Sequence, residues 1–180
     1  MKVIIGLAGE ISSGKGSVAK YAKEKYNAKI YRFSDIFRNI LDTLGLEHSR
    51  KNMSDLSLTL RKTFGEDVLD KALTEEIKKS ESNVVVVDGV RRIDDIKYLK
   101  KMPKFILVFV ETKIGNRYKR IVKRKENPDD QNKTFEEFRD DSQRNAELKI
   151  SSLKKYADKI INNDGTLEEL HKQIDNIFEK

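Results

Sequence analysis

The chain has 180 residues, 37% of them hydrophobic and 37% charged, which suits one compact domain. It contains no cysteine, which excludes disulfides, thiol nucleophiles and cysteine-held metal sites. The net charge of +7 is spread along helices of mixed sign without interleaved aromatic residues, so it favours phosphorylated small molecules over nucleic acid as partners.

The apolar runs are short. The longest, "VIIGLA" and "FILVFV", fall far below the ~20 residues that span a bilayer, so we expect no membrane segment. The start at Met1 carries no signal-peptide pattern, which predicts a cytoplasmic protein. We expect a monomer or a small homo-oligomer.

Continuous β-branched runs alternate with helical patterns along the chain. The runs at 2–8, 83–88 and 104–110 are typical of strands buried on both faces, and weaker strand patterns cover 28–33 and 158–162. Helical spacing covers 15–26, 35–45, 54–79 (with Gly65 placed to interrupt it), 92–101, 112–126, 134–148 and 166–179. The alternation predicts an α/β fold, with a five-stranded parallel sheet and helices on both faces, in a single domain.

The first strand ends in "GLAGEISSGKGSVAKY", residues 6–21. A glycine turn between a strand and a helix directs backbone N–H groups at one spot, where the helix N-terminus adds partial positive charge. A lysine there reaches the phosphates of a nucleotide, and a hydroxyl helps to hold Mg²⁺. The predicted ATP-binding residues are Gly9, Ser13, Gly14, Lys15, Gly16, Ser17 and Val18. The common pattern has Ser or Thr where Gly16 stands, and here the hydroxyl comes one residue later.

Ligands bind beyond the carboxyl ends of parallel strands, so the second strand points to "RFSDIFRNIL", residues 32–41. Ser34 or Asp35 can cap the helix that opens there. Arg38 lies one turn further on, on the same side as Asp35. Asp35 is therefore either a cap or a base, and Arg38 is a candidate phosphate ligand.

The third strand ends in "VVVVDGVRRIDDIKYL", residues 84–99. Asp88 at the strand end can hold Mg²⁺ through water. Gly89 allows close backbone approach, and the guanidinium groups of Arg91 and Arg92 can clamp a phosphate, although adjacent arginines are also ordinary surface residues.

The segment "NRYKRIVKRKEN", residues 116–127, is rich in Lys and Arg and nearly free of acid. Its arginines 117, 120 and 124 share one helical face. Like charges repel one another there, which predicts an anionic partner. The polar loop 125–133 follows. The pattern predicts a mobile lid, with Arg139 and Arg144 as further members of its clamp.

These motifs resemble the nucleoside monophosphate kinases of the adenylate-kinase type. "GKGS" resembles their "GKGT", "RFSDIFR" their "STGDLLR", and "DGVRR" their "DGFPR", whereas Ile11 and Ser12 depart from their Pro-Gly. The resemblance implies a three-layer P-loop NTPase fold with an acceptor lobe at about 35–80 and a lid at about 117–145. It also implies residue roles: Ser17 and Asp88 at Mg²⁺, Arg38, Gly89, Arg91 and Arg92 at the acceptor, Arg120 over the ATP base, and Arg124 at its phosphates.

The tail "ADKIINNDGTLEEL", residues 157–170, resembles dephospho-CoA kinase. Its residues predict a last strand, an Asn-Asp-Gly turn and a helix capped by Thr166 with Glu169. That second resemblance implies a hydroxyl acceptor, with Asp35 as the base.

We therefore predict a kinase that transfers the γ-phosphoryl group of Mg-ATP to a small phosphorylated acceptor, first of all a nucleoside or deoxynucleoside monophosphate. The predicted catalytic residues are Lys15, Asp35, Asp88, Arg92 and Arg124. Arg50 and Arg61 are candidate acceptor contacts or members of a solvated helix face. A dephospho-CoA kinase-like enzyme and a nucleotide-dependent regulatory or RNA-binding module are the alternatives.

Overall fold

A computed structural model describes residues 2–124, 133–143 and 145–179 of the chain. Within them no helix is long and apolar enough to cross a membrane. The described residues form a five-stranded, fully parallel sheet in the order β2-β3-β1-β4-β5. The strands are β1 (Val3–Ala8), β2 (Lys29–Arg32), β3 (Val84–Val90), β4 (Phe105–Glu111) and β5 (Lys159–Asn162). The predicted α/β class and strand set are confirmed.

Helices cover both faces of the sheet. They are α1 (Lys15–Tyr26), α2 (Phe33–Thr43), α3 (Arg50–Phe64), α4 (Val68–Lys79), α5 (Ile114–Arg124), α6 (Phe135–Ser142), α7 (Asn145–Ser151) and α8 (Leu167–Phe178). Short 3₁₀ turns lie at Ile93–Ile96, Leu99–Lys101 and Ser152–Tyr156.

Successive side chains of a strand enter opposite layers of the core, because strand side chains alternate between the two faces of a sheet. Ile4 packs with α2 and α4 residues such as Phe37 and Leu73. Its neighbour Ile5 packs with α1 and α8, against residues such as Val18. Strands buried on both faces explain why their sequences are continuously apolar.

The expected division of the helical stretch 54–79 agrees with the structure, whereas the helix predicted over 92–101 does not. The stretch 54–79 is divided at Gly65, as expected, because this residue has φ +100° and its N–H closes α3 on the carbonyl of Arg61 at 2.9 Å. The helix predicted over 92–101 is wrong, since two 3₁₀ turns stand there. Carboxylates take over the backbone donors that an α-helix would use, as when Asp70 accepts the N–H of Tyr98.

The structure divides one further predicted helix and contains the predicted cap of another. The single helix predicted over 134–148 is two helices, because α6 ends at Ser142 and α7 begins at Asn145. The predicted cap of α8 is present: the Thr166 hydroxyl accepts the N–H of Glu169 at 3.2 Å, and the Glu169 carboxylate accepts the N–H of Thr166 at 2.8 Å.

The sheet brings the ends of three strands together. Asp88 of β3 pairs with Leu7 of β1 on one side and with Arg32 of β2 on the other. The segments that follow these three strands therefore begin at one edge of the sheet, which is the edge where ligands of such folds bind.

Candidate active site

The loop between β1 and α1 has a backbone that only glycine fits at two positions. Gly9 has φ +148°, and a Cβ there would lie 2.6 Å from the carbonyl oxygen of Val110. Gly14 has φ +99°, and its Cβ would lie 2.0 Å from Nδ2 of Asn163. These contacts explain the glycine spacing, because any other side chain would force the loop away from its walls.

The loop encloses the ammonium group of Lys15. Its Nζ donates to the carbonyl oxygens of Gly9 at 2.6 Å and Glu10 at 3.0 Å. The hydroxyls of Ser12 and Ser13 are buried and have no hydrogen-bond partner among the residues that the structure describes. Buried donors without partners beside a cation and a helix N-terminus fit the phosphate groups of a nucleotide.

Residues that directly follow β4 and β5 hold the loop from outside. The carbonyl oxygen of Ser13 accepts hydrogen bonds from Thr112 Oγ1 at 2.8 Å and from Asn163 Nδ2 at 2.8 Å. Arg120 of α5 donates to the same oxygen at 3.4 Å and to the Asn163 carbonyl at 2.6 Å. The guanidinium of Arg120 is thus part of the wall of the loop. Sequence reasoning missed Thr112 and Asn163, whose only signal is that both directly follow strands.

Arg117 ties α5 to the same loop. Its guanidinium lies 3.1 Å from Glu10 Oε1 and 3.4 Å from the carbonyl oxygen of Ile11. It is 3% exposed and lies 5.6 Å from the ring centroid of Phe138 in α6. An ion pair between the buried guanidinium of Arg117 and the partly exposed carboxylate of Glu10 therefore links the loop to α5.

The predicted lid is only partly described. The side chain of Arg124 and the residues 125–132 and Arg144 lie outside the part of the chain that the structure describes. Arg139 is exposed on α6, with its Nε 3.8 Å from Asp140.

Asp35 and Arg38, both predicted at the acceptor, lie on α2. Arg38 Nη1 lies 2.7 Å from Asp35 Oδ1 and 2.9 Å from the Ser34 hydroxyl. The predicted cap was wrong, because Arg32 occupies the cap position and α2 begins at Phe33. The extended β2 backbone runs directly into the helix, so Ser34 and Asp35 lie inside the first turn. The negative charge of Asp35 interacts favourably with the helix dipole there.

Asp88 lies at the end of β3. One of its oxygens is 3.2 Å from Arg32 Nε, and the next residue, Gly89, has φ +88°. Among the described residues, no three His, Asp or Glu side chains form a group that could hold a metal alone. Mg²⁺ keeps several waters and takes one or two protein ligands beside phosphate oxygens, so Asp88 and Ser17 fit that requirement.

Arg92 lies in the segment after β3, and Arg61 lies in the last turn of α3. Arg92 Nη1 is 2.5 Å from Glu66 Oε2, in the linker between α3 and α4. Arg61, expected at the acceptor, is instead 7% exposed and pairs with Asp95 at 2.9 Å, so it lies behind the surface. Arg91 is exposed, and the side chain of Arg50 lies outside the described residues.

Three arginines at the ends of β2 and β3 and in the segments after them pair with carboxylates. Arg32 is 49% exposed, Arg38 42% and Arg92 33%, measured on their side chains. Pairs this open to solvent contribute ~0–1 kcal/mol each, so these guanidinium groups remain available to a further anion.

Comparison with known sequences agrees with this geometry. The family described as an AAA domain matches residues 8–139. A UPF0200 protein of Staphylothermus marinus is 30% identical over 181 residues, which cover 100% of this chain and 94% of that protein. The chain belongs to the AAA domain family and to the UPF0200 family. A UPF0200 protein of Methanocaldococcus jannaschii is 27% identical, covering 99% of this chain and 90% of that one.

Solved structures share the fold of this UPF0200 chain. A shikimate kinase from Bacteroides thetaiotaomicron superposes with a TM-score of 0.65 at 19% identity, covering 98% of this chain and 97% of the other. A gluconokinase from Sinorhizobium meliloti 1021 superposes with a TM-score of 0.61 at 14% identity, covering 99% and 91%. The chain therefore has the P-loop kinase fold.

A basic groove of about 440 Å³ in the UPF0200 chain begins at the phosphate loop. It lies between α1 and β2, and the described residues that line it include no acidic side chain: Gly16, Ala19, Lys20, Lys23, Ala28, Lys29, Ile30 and Arg32. Gly16 leaves the mouth open, since a Cβ there would meet no described atom within 4 Å. The arrangement attracts anions toward the loop.

Proposed function

We propose that this UPF0200 protein is a Mg-ATP-dependent phosphotransferase whose acceptor carries an anionic group of its own, with nucleoside monophosphates as the first class. The observation that carries the proposal is the pairing of two features at one sheet edge. One is the glycine loop closed around Lys15. The other is the set of solvent-exposed arginine–carboxylate pairs at the ends of β2 and β3 and in the segments after them.

On the donor side, Lys15, Ser17 and the N–H groups of the loop bind the triphosphate. ATP supplies the phosphoryl group, and its Mg²⁺ neutralises charge on the phosphate oxygens. Positive groups fixed in advance stabilise the charge that spreads over the transferred phosphoryl, which is the principal contribution of the protein in such reactions. Arg120 and Arg117 support this role by holding the loop from α5.

On the acceptor side, Arg38 and Arg92 orient the acceptor phosphate, with Arg91 and Gly89 beside them. If a phosphate oxygen receives the phosphoryl group, it is already ionised at neutral pH and needs no base. Asp35 then serves to hold Arg38 in place, which matches their 2.7 Å contact.

A hydroxyl acceptor is the second candidate, favoured by the position of Asp35. Since Arg32 rather than Asp35 stands at the cap of α2, the carboxylate is not used as a cap. It is 46% exposed and can accept a proton from a hydroxyl nucleophile.

The test is a panel of ribo- and deoxynucleoside monophosphates and dephospho-CoA, each incubated with the protein and Mg-ATP. The readouts are ADP release and the mass and phosphorus spectrum of the product. We expect at least one monophosphate to raise ADP release well above the rate with ATP alone and to become a diphosphate. Phosphorylation of a hydroxyl supports the second candidate. If none of the compounds in the panel is phosphorylated, both candidate functions are contradicted.

A further inference from the structure

Glu66 makes contact with an arginine that the proposed function assigns to the acceptor. It belongs to the short linker between α3 and α4, and its Oε2 lies 2.5 Å from Nη1 of Arg92. Arg92 stands at the N-cap of the 3₁₀ turn Ile93–Ile96, which follows β3. A carboxylate of the chain itself therefore lies where an anionic group of a ligand would bind.

One buried ion pair fixes the backbone on both sides of this contact. Asp95, 3% exposed, accepts Arg61 Nη2 at 2.9 Å through one oxygen. Its other oxygen accepts the N–H groups of Arg91 at 3.1 Å and Arg92 at 3.0 Å. Arg61 Nη1 in turn donates to the carbonyl oxygen of Glu66 at 2.6 Å. These contacts fix the main chain at Glu66 and at Arg92, and the side chains of Glu66 and Arg92 contact each other.

The side chains of Glu66 and Arg92 are open to solvent, whereas the Arg61–Asp95 pair that holds their main chains is buried. The Glu66 side chain is 60% exposed and that of Arg92 is 33% exposed. An ion pair this open is weak, and a phosphate group carries roughly −1.5 to −2 charge at pH 7, whereas a carboxylate carries a single negative charge. Exchange of Glu66 for a phosphate is therefore favourable, while exchange for another carboxylate gains little.

We infer that Glu66 is a specificity-determining residue of the acceptor site. Its carboxylate competes for Arg92, so that the site accepts a doubly charged phosphate and rejects acceptors that offer only a carboxylate. Arg61 and Asp95 are positioning residues. They hold Glu66 and Arg92 opposite each other. The inference rests on the proposed function in placing Arg92 at the acceptor.

The experiment measures anion binding at Arg92 with inorganic phosphate and with acetate. The protein is saturated with ADP, so that the phosphate loop is filled, and the backbone amide signals of Arg91 and Arg92 are followed by NMR. We expect Glu66→Gln to tighten phosphate binding by about threefold to fivefold, as removal of an exposed ion pair allows. We expect acetate to shift these signals in Glu66→Gln at concentrations that leave the unmodified protein unchanged.

Glu75→Gln is the matched control, because it removes the same charge from an exposed ion pair on α4, that with Lys78. It should leave both affinities unchanged, and Arg92→Gln should abolish the phosphate-dependent shifts. Equal phosphate affinity in the unmodified protein and Glu66→Gln overturns the inference, as does binding that survives Arg92→Gln or phosphate binding that is absent throughout.

The acceptor panel separates this inference from the proposed function. If Glu66→Gln tightens phosphate binding while no acceptor is phosphorylated, the role of Glu66 stands and the kinase proposal fails. If an acceptor is phosphorylated and its KM is the same in Glu66→Gln, the kinase proposal stands and the role of Glu66 fails.

Discussion

The ammonium nitrogen of Lys15 lies 2.6 Å from the carbonyl oxygen of Gly9, so the phosphate loop closes around its own lysine. Gly9 adopts φ +148°, a backbone conformation that residues with a side chain rarely adopt. The loop therefore holds its cation in place before any phosphate arrives. Such preorganisation is what makes a positive group effective on developing charge.

The geometry of Gly14 predicts a loss of stability on substitution. Gly14→Ala introduces a methyl group 2.0 Å from Asn163 Nδ2 at a backbone angle of φ +99°. We expect the free energy of unfolding to fall by about 1–3 kcal/mol, measured by denaturant titration. Gly16→Ala is the matched control two residues away. It meets no described atom within 4 Å and lies inside α1, so stability should be unchanged or slightly higher. An equal loss in both variants would contradict the proposed loop geometry.

Asp70 predicts a pH dependence of stability. Burial raises the pKa of this α4 carboxyl from 3.8 to about 6, although the N–H of Tyr98 and the Thr74 hydroxyl donate to it. A group whose pKa is higher in the folded state stabilises the fold below its unfolded pKa, and that contribution is lost as pH rises through its folded pKa. Between about pH 4 and pH 7, the free energy of unfolding should fall by roughly 2 kcal/mol relative to Asp70→Asn. Parallel curves for the two proteins would show that Asp70 does not titrate in this way.

Much of the fold could be predicted because its signals are local. The continuously apolar strands, the glycine loop and the Thr166–Glu169 cap are each written in a few adjacent residues. The helix predicted over 92–101 failed because carboxylates distant in sequence, such as Asp70, compete for its backbone donors. The apolar spacing within residues 92–101 does not reveal a carboxylate from a distant segment.

The site was harder to predict than the fold because charge patterns do not reveal pairing. The spacing of Arg117 with Arg120 indicated a face that awaits an anionic ligand. In the structure Arg117 pairs with Glu10, which is more than one hundred residues away in sequence. Arg61 likewise lies buried against Asp95. Such pairs depend on the order of the strands in the sheet, which brings distant segments together.

Asp35 separates the two acceptor classes. With a monophosphate acceptor, Asp35→Asn should change kcat only slightly, because the attacking oxygen is already ionised. With a hydroxyl acceptor, loss of the base should lower kcat by ~10²-fold or more. The measurement is steady-state ADP release with each acceptor that the panel identifies. Asp42→Asn, on the exposed side of α2, is a control that should leave both rates unchanged. A large loss with a monophosphate would contradict the assignment of a phosphate oxygen as nucleophile.

Turnover of Lys15→Ala tests the central claim most directly. The variant removes the cation that the loop encloses, and Lys172→Ala removes an exposed lysine of α8 as a control. With the best acceptor of the panel and saturating Mg-ATP, we predict that Lys15→Ala lowers kcat by ~10²–10³-fold or more, while Lys172→Ala stays close to the unmodified protein. Near-normal turnover of Lys15→Ala would contradict the phosphate-loop kinase account.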